Sequence, residues 1–237
     1  ILVALWRVAY FVLDNIFYDR ATLQFPDSAA MAGFIGSFFG AVGILGFITD
    51  VFLTGRIISR FGLRAGLLTT PTLTILFTTI LAVTGFVDNS LLVILFWLAV
   101  AGKFANEGFG FSLDQSTFAV LYQPVEEKER VRVQTMTEGI IQPLAIGLAG
   151  GLLLLFNTVL KFDAIQLAYV YLVIAGAWVI VSILLIRAYP IALKDALHKH
   201  RFGDNGLAVM DIASYELLKD ALNSPHPNEV IYALDLL

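Results

Sequence analysis

Long apolar runs separated by short polar connections set the pattern of this chain. Five of them carry almost no Asp, Glu, Lys or Arg: Ala29 to Thr49, Ala65 to Val87, Val87 to Gly102 (continued past a charge), Gly139 to Leu160, and Ala164 to Ile186. About 20 residues of helix, at ~1.5 Å each, cross the ~30 Å of hydrocarbon in a bilayer. Each run is therefore predicted to be a membrane span. A sixth, Ile1 to Leu13 and on toward Phe17, is interrupted by Arg7. The runs are continuous rather than alternating, which excludes barrel strands of about ten residues. No basic segment or small-residue cleavage site marks the first run as a secretory signal. The expected fold is all-α: a polytopic bundle of six transmembrane helices over 1–188, followed by a helical soluble segment over 189–237.

The connections alternate in charge. One side receives Arg56, Arg60 and Arg64, then Lys128, Arg130 and Arg132, then Arg187 and the tail; the other receives Arg20 and Lys161 among Asp19, Asp27, Asp88 and Asp163. Basic residues stay on the cytoplasmic side, so the first, third and fifth connections are expected outside and the tail inside.

Composition agrees with this reading. The chain is 58% hydrophobic and 14% charged, with a mean hydropathy of +0.82, well outside the roughly 25% charge of soluble domains. A net charge of -4 argues against a nucleic-acid partner, because phosphate neutralisation needs a clustered basic surface. There is no cysteine, hence no disulfide or thiolate site. The chain opens Ile1-Leu2-Val3 and stops at Leu236-Leu237 within a predicted helix; it reads as a fragment of a longer protein.

The second run packs Gly33, Gly36, Ser37, Gly40, Gly43 and Gly46 at spacings of three and four, a face that lets helix backbones approach closely. It serves either static packing or the sliding of one helix on another. Beyond Tyr189-Pro190, Lys194, Asp195, His198, Lys199, His200 and Arg201 announce a soluble segment. Amphipathic stretches then run from about Leu207 to Leu222 and Asn228 to Leu237 around Pro225 and Pro227. Their pattern looks like the loop and second helix of a HEAT repeat, a unit that needs neighbours to cover its apolar face.

Charges inside the runs are the candidate chemistry, because an unpaired charge in hydrocarbon costs several kcal/mol and persists only against water, a partner or a solute. Lys103 and Glu107 lie four apart on one helix face, with Asn106 and Asp114 extending the polarity. They form either the lining of a cavity for an anionic solute or a self-neutralising structural pair. Gln134, Glu138 and Gln142 follow at spacings of four, ahead of Pro143, where a kink is expected. Arg7 and Asp14, two turns apart with Tyr10 and Phe11 between them, form either a gate or a solute contact, or else a helix-end pair close to water. The candidate solute-binding residues are thus Lys103, Glu107, Arg7, Gln142 and Glu138. His198, His200 and His226 stand in polar surroundings and suggest no metal site. No phosphate-binding glycine loop and no nucleophile with a base partner occurs. Neither an enzyme nor a cofactor is expected.

Between the second and third runs, a sharp cytoplasmic turn is expected, with glycines at its bends and arginines at its corners making ionic contacts to neighbouring helices; Gly55, Arg60, Gly62 and Arg64 match the loop signature of the major facilitator superfamily, with Ser59 at its acidic position and Asp50 as a substitute partner. A closer resemblance covers most of the chain. Asp14-Asn15-Ile16-Phe17 leading to Phe25-Pro26-Asp27, Phe52-Leu53-Thr54-Gly55-Arg56, and Phe111-Ser112-Leu113-Asp114-Gln115-Ser116-Thr117 to Leu121-Tyr122-Gln123-Pro124 resemble the bacterial branch of the ATP:ADP antiporter family. That resemblance implies the second six-helix half of a nucleotide transporter in a bacterial inner membrane. It also implies partners within the same chain: a first half, HEAT repeats and a cyclic-nucleotide-binding domain. The sequence departs from the family between Ile140 and Gly151, where Gln142 replaces the expected cations, and at Tyr18, where a basic residue is usual. A polyphosphate needs several cations to offset its desolvation. The expected function is therefore alternating-access transport of a small anionic or nucleotide-like solute. A non-transporting anchor for a C-terminal sensor is the competing reading.

Overall fold

The computed structural model describes residues 1–203 apart from Asn89 and Glu126, and among them all regular structure is helical. The helices are α1 (Leu2–Gln24), α2 (Ser28–Ile48), α3 (Gly55–Val87), α4 (Leu92–Ala105), α5 (Gln115–Leu121), α6 (Glu127–Met136), α7 (Gln142–Leu154) and α8 (Ala164–Gly203). Wider π turns at Thr49–Thr54, Asn106–Asp114 and Thr137–Ile141 join α2 to α3, α4 to α5 and α6 to α7, and a fourth at Leu155–Val159 extends α7.

Among the described residues, five helical segments are long and apolar enough to cross a membrane: Ser28–Phe52, Arg60–Val87, Leu92–Gly110, Glu129–Val159 and Ala164–Lys194. They coincide with the five predicted runs, and the chain is a multi-pass membrane protein by that measure. α1 is a 23-residue helix, long enough to span but set apart by Arg7, Asp14, Asp19 and Arg20.

Local chemistry sets the ends. Asp27 caps α2 by accepting the Ala30 amide at 2.9 Å, and Asp163 and Gln166 exchange backbone and side-chain hydrogen bonds of 3.0 and 2.9 Å at the start of α8, a reciprocal N-terminal cap. The predicted sharp turn before the third span takes a different form. Gly55 remains helical, with φ −61°, and the break falls at Gly62, with φ 69° and ψ −167°, a region open almost only to glycine. The predicted kink near Pro143 is a π turn just before it, with Pro143 in the first turn of α7, where a missing N–H costs nothing.

Residues Ile1–Pro190 form one compact unit and Ile191–Leu237 a second. In the first, Ala9, Val12, Leu13 and Ile16 of α1 meet Leu95 and Ala99 of α4, Leu81 of α3, and Tyr171, Ala175 and Trp178 of α8 in one apolar core. A second core stacks Phe17, Phe38 and Phe96 between α1, α2 and α4, with Phe17 and Phe38 rings 4.8 Å apart. The glycine face of α2 behaves differently from expectation: a methyl added at Gly33, Gly36, Gly40, Gly43 or Gly46 would meet nothing within 4 Å. Among the described residues it packs on no neighbour. Of the second unit, Ile191–Gly203 is described and continues α8 as helix past Pro190. The predicted hairpin of 207–222 and 228–237 lies outside the described residues.

Candidate functional site

One face of α1 builds the site. Arg7, Tyr10 and Asp14, at i, i+3 and i+7, point the same way, and α1 lies against α4 and α7. The Lys103 ammonium of α4 meets Asp14 Oδ1 at 2.7 Å and Glu107 Oε1 at 2.7 Å. It also stands 4.0 Å from the centre of the Tyr10 ring, whose hydroxyl donates to Glu107 Oε1 at 2.8 Å. Lys103 is wholly enclosed, whereas Glu107 is 13% and Asp14 25% exposed. Two carboxylates and a π face thus replace the water of one buried cation, which is what keeps a charge inside an apolar bundle. The cluster carries a formal net charge of minus one, and its partly exposed side is the carboxylate side.

The spacing of Lys103 and Glu107 foretold their pairing; Asp14 as the third member did not follow from it. The sequence grouped Asp14 with Arg7, but the structure sends them to different partners. Arg7 Nη2 donates to Gln142 Oε1 of α7 at 2.9 Å, and its guanidinium stacks 4.2 Å over the Trp6 ring. Trp6 in turn meets the Phe118 ring edge-on at 5.4 Å.

Arg7 and Gln142 line a cavity of about 410 Å³ together with Gln134 and Glu138 and the aromatic walls of Trp6, Phe118 and Tyr122. Gln134 Nε2 reaches Glu138 Oε1 at 3.4 Å, a long contact that leaves the carboxylate most of its accepting capacity. The successive four-residue spacing of Gln134, Glu138 and Gln142 survives the π turn of Thr137–Ile141, so all three lie along this cavity. Of the five candidate residues, Lys103 and Glu107 belong to the ion cluster, and Arg7, Gln142 and Glu138 to the cavity. Tyr10 connects the two, one turn from Arg7 and bonded to Glu107.

A third polar group lies behind α4. Asp114, 3% exposed, accepts from the Thr70 hydroxyl at 3.2 Å. Gly110 makes room: a Cβ there would stand 3.1 Å from Thr70 Cγ2 and 3.3 Å from Asp114 Oδ2. Thr70, Thr74 and Thr78 are buried in α3, and Thr74 returns its hydroxyl to the carbonyls of Thr70 and Pro71 at 3.0 and 3.1 Å, serving carbonyls in the turn around Pro71. Their four-residue spacing was the available signal for this seam.

Arg56 donates to the Phe52 carbonyl at 3.0 Å and Arg60 stands 5.8 Å from the Phe61 ring; among the described residues, no ion pair joins Arg60 or Arg64 to Asp50. Outside the spans, Asp88 accepts from the Ser90 hydroxyl and amide at 2.6 and 2.8 Å, and these bonds hold its carboxyl below the ordinary aspartate value.

Comparison with the curated proteins and with the solved structures found no match. The sequence model of one family, the TLC ATP/ADP transporter, matches residues 1–189, which include α1 through most of α8 and every residue of the site, and the chain belongs to that family.

Proposed function

We propose that this chain is a six-span half of a secondary transporter that moves a small anionic or nucleotide-like solute by alternating access. The observation that carries the reading is the polar face of α1. It runs from Arg7 in the 410 Å³ cavity through Tyr10 to the Asp14–Lys103–Glu107 cluster, inside helices otherwise built of apolar residues. A bundle that only needed to be stable would fill these positions with packed hydrocarbon, which is often no less stable than a buried ion pair. α1 acts as the first span despite its charges, because Arg7 and Asp14 turn to Gln142 of α7 and Lys103 of α4 and Asp19 and Arg20 meet each other near the end of the helix. Family membership supports nucleotide-like chemistry for the solute.

In this reading the bundle has a major facilitator-like arrangement in a bacterial inner membrane. The arginine-bearing turn at Gly62 and the tail lie on the cytoplasmic side, and residues 189–237 begin a HEAT-like region. The bare glycine face of α2 is where the first six-helix half packs. A non-transporting anchor is the second reading, favoured by the absence of any cation from Ile140 to Gly151.

Solute uptake into proteoliposomes by the full-length protein separates these. Wild type is expected to take up nucleotide-like solutes, and Lys103→Ala and Glu107→Gln to abolish uptake. Because Lys103→Ala strands two carboxylates, the neutral triple variant Asp14→Asn/Lys103→Met/Glu107→Gln serves as the folded control. Normal uptake by that variant refutes a transport role for the cluster, and absence of uptake by wild type supports the anchor.

A further inference from the structure

We propose that the cavity between α1, α5 and the α6–α7 segment is the wall that holds the heterocyclic base of a nucleotide-like solute, through a base edge bearing an exocyclic amino group, and not the wall that holds its phosphates. This rests on the transport reading above.

Charge comes first. The cavity offers one guanidinium, Arg7, and one carboxylate, Glu138, a balance of zero. The neighbouring cluster adds one ammonium against two carboxylates. A di- or triphosphate brings several negative charges and is held where cations or helix N-termini outnumber carboxylates. The lining has no such excess of cations, and the nearby Arg130 is spent on the carbonyls of Gln123 and Val125, so this cavity does not meet the condition for holding a polyphosphate.

Shape and hydrogen bonding then favour a flat, weakly charged group. Phe118 and Tyr122 supply ring surface, with the buried Trp6 ring behind them already covered by the Arg7 guanidinium, and stacking on such rings accepts any base because every base has a π face. Around them stand groups that donate and accept in different directions. Gln142 spends its carbonyl oxygen on Arg7 at 2.9 Å, leaving its amide NH₂ as a donor. Glu138 keeps accepting capacity beyond its 3.4 Å contact with Gln134 and can offer no donor while ionised. Amide donors beside a carboxylate acceptor match an edge that alternates ring nitrogen and exocyclic amine, the pattern by which carboxylates accept from cytosine and amides read adenine. A carbonyl in place of that amine would face Glu138 oxygen to oxygen.

The test compares bases in which a carbonyl replaces this amine and the adjacent ring nitrogen changes from acceptor to donor, so that the whole edge is inverted. Competition against labelled nucleotide uptake is measured in proteoliposomes of the full-length protein, with CTP against UTP and ATP against ITP, and with ATP, ADP and AMP as a phosphate series. Thermal shifts of the detergent-purified protein with the same solutes give a readout independent of transport. Wild type is expected to prefer the amino-bearing member of each pair at least about ten-fold. Glu138→Gln is expected to compress that preference to within about two-fold while the ranking of the phosphate series is unchanged. Equal treatment of both pairs by wild type overturns the base assignment while leaving transport intact. So does a Glu138→Gln variant whose base preference is unaltered but whose phosphate ranking moves. Wild type that neither transports nor binds any nucleotide overturns the nucleotide-like reading of the solute on which this assignment rests.

Discussion

Lys103 shows how far a single residue is settled by its neighbours. Its ammonium is enclosed because Asp14 and Glu107 each stand 2.7 Å away, and the arrangement holds only while all three charges are present. Removing one partner of a buried pair typically costs about 3–5 kcal/mol. Lys103→Met is accordingly expected to lower the thermal midpoint in detergent markedly, and the neutral triple variant to recover most of it; equal destabilisation of both would contradict the pairing. The four-residue spacing revealed the Lys103–Glu107 contact, since helix geometry alone brings those side chains together. Asp14 was not legible as a partner, because which face of α1 meets α4 is decided by tertiary packing of Ala9, Val12 and Ile16. Arg7 illustrates the same limit: its stacking on Trp6 is local, but Gln142 lies 135 positions away. At the surface, Asp88 gives a prediction with a definite sign. Its folded-state pKa is lowered by Ser90, so the bond's stabilisation is present above the ordinary aspartate value and lost as pH falls through the lowered one. In Ser90→Ala the carboxyl should titrate nearer the ordinary value by NMR; an unmoved titration would contradict the assignment.

Among elements, the spans were the legible part and the breaks within them were not. Freedom from charge over about 20 residues is a property of composition, and it located all five apolar spans, although the helices run up to ten residues past the predicted ends, as at Glu129 against Gly139. The π turns have no comparable signature, and the fourth helix runs on through Asn106–Asp114 well beyond the predicted Gly102, with Asn106 and Asp114 buried and Asp114 bonded to Thr70 rather than facing lipid. Gly62 was legible as a bend from the loop signature, whereas Gly55 was not distinguishable from it by residue type and proves helical. Gly62→Ala places a Cβ at φ 69° and ψ −167° and should cost on the order of 1–3 kcal/mol. Gly55→Ala should be neutral or stabilising, since alanine is the better helix former. Thermal unfolding of the pair checks this, and a larger loss at Gly55 would place the break elsewhere.

For the whole molecule, the account divides the surface into a wet interior and a greasy exterior. Val83, Leu144 and Val173 are exposed on segments apolar enough to span a membrane, while Ala119 and Thr137 line the cavity with Arg7 and Glu138. The chain contains no cysteine, so single cysteines introduced here report their own surroundings once any thiols elsewhere in the full-length protein are removed. The most direct measurement is the rate at which a membrane-impermeant maleimide labels Ala119→Cys and Thr137→Cys, compared with Val83→Cys and Val173→Cys, in inverted membrane vesicles. The account predicts rapid labelling at 119 and 137, slowed by a transported nucleotide, and little at 83 and 173. Equal labelling at all four positions, or faster labelling at 83 and 173, would contradict it.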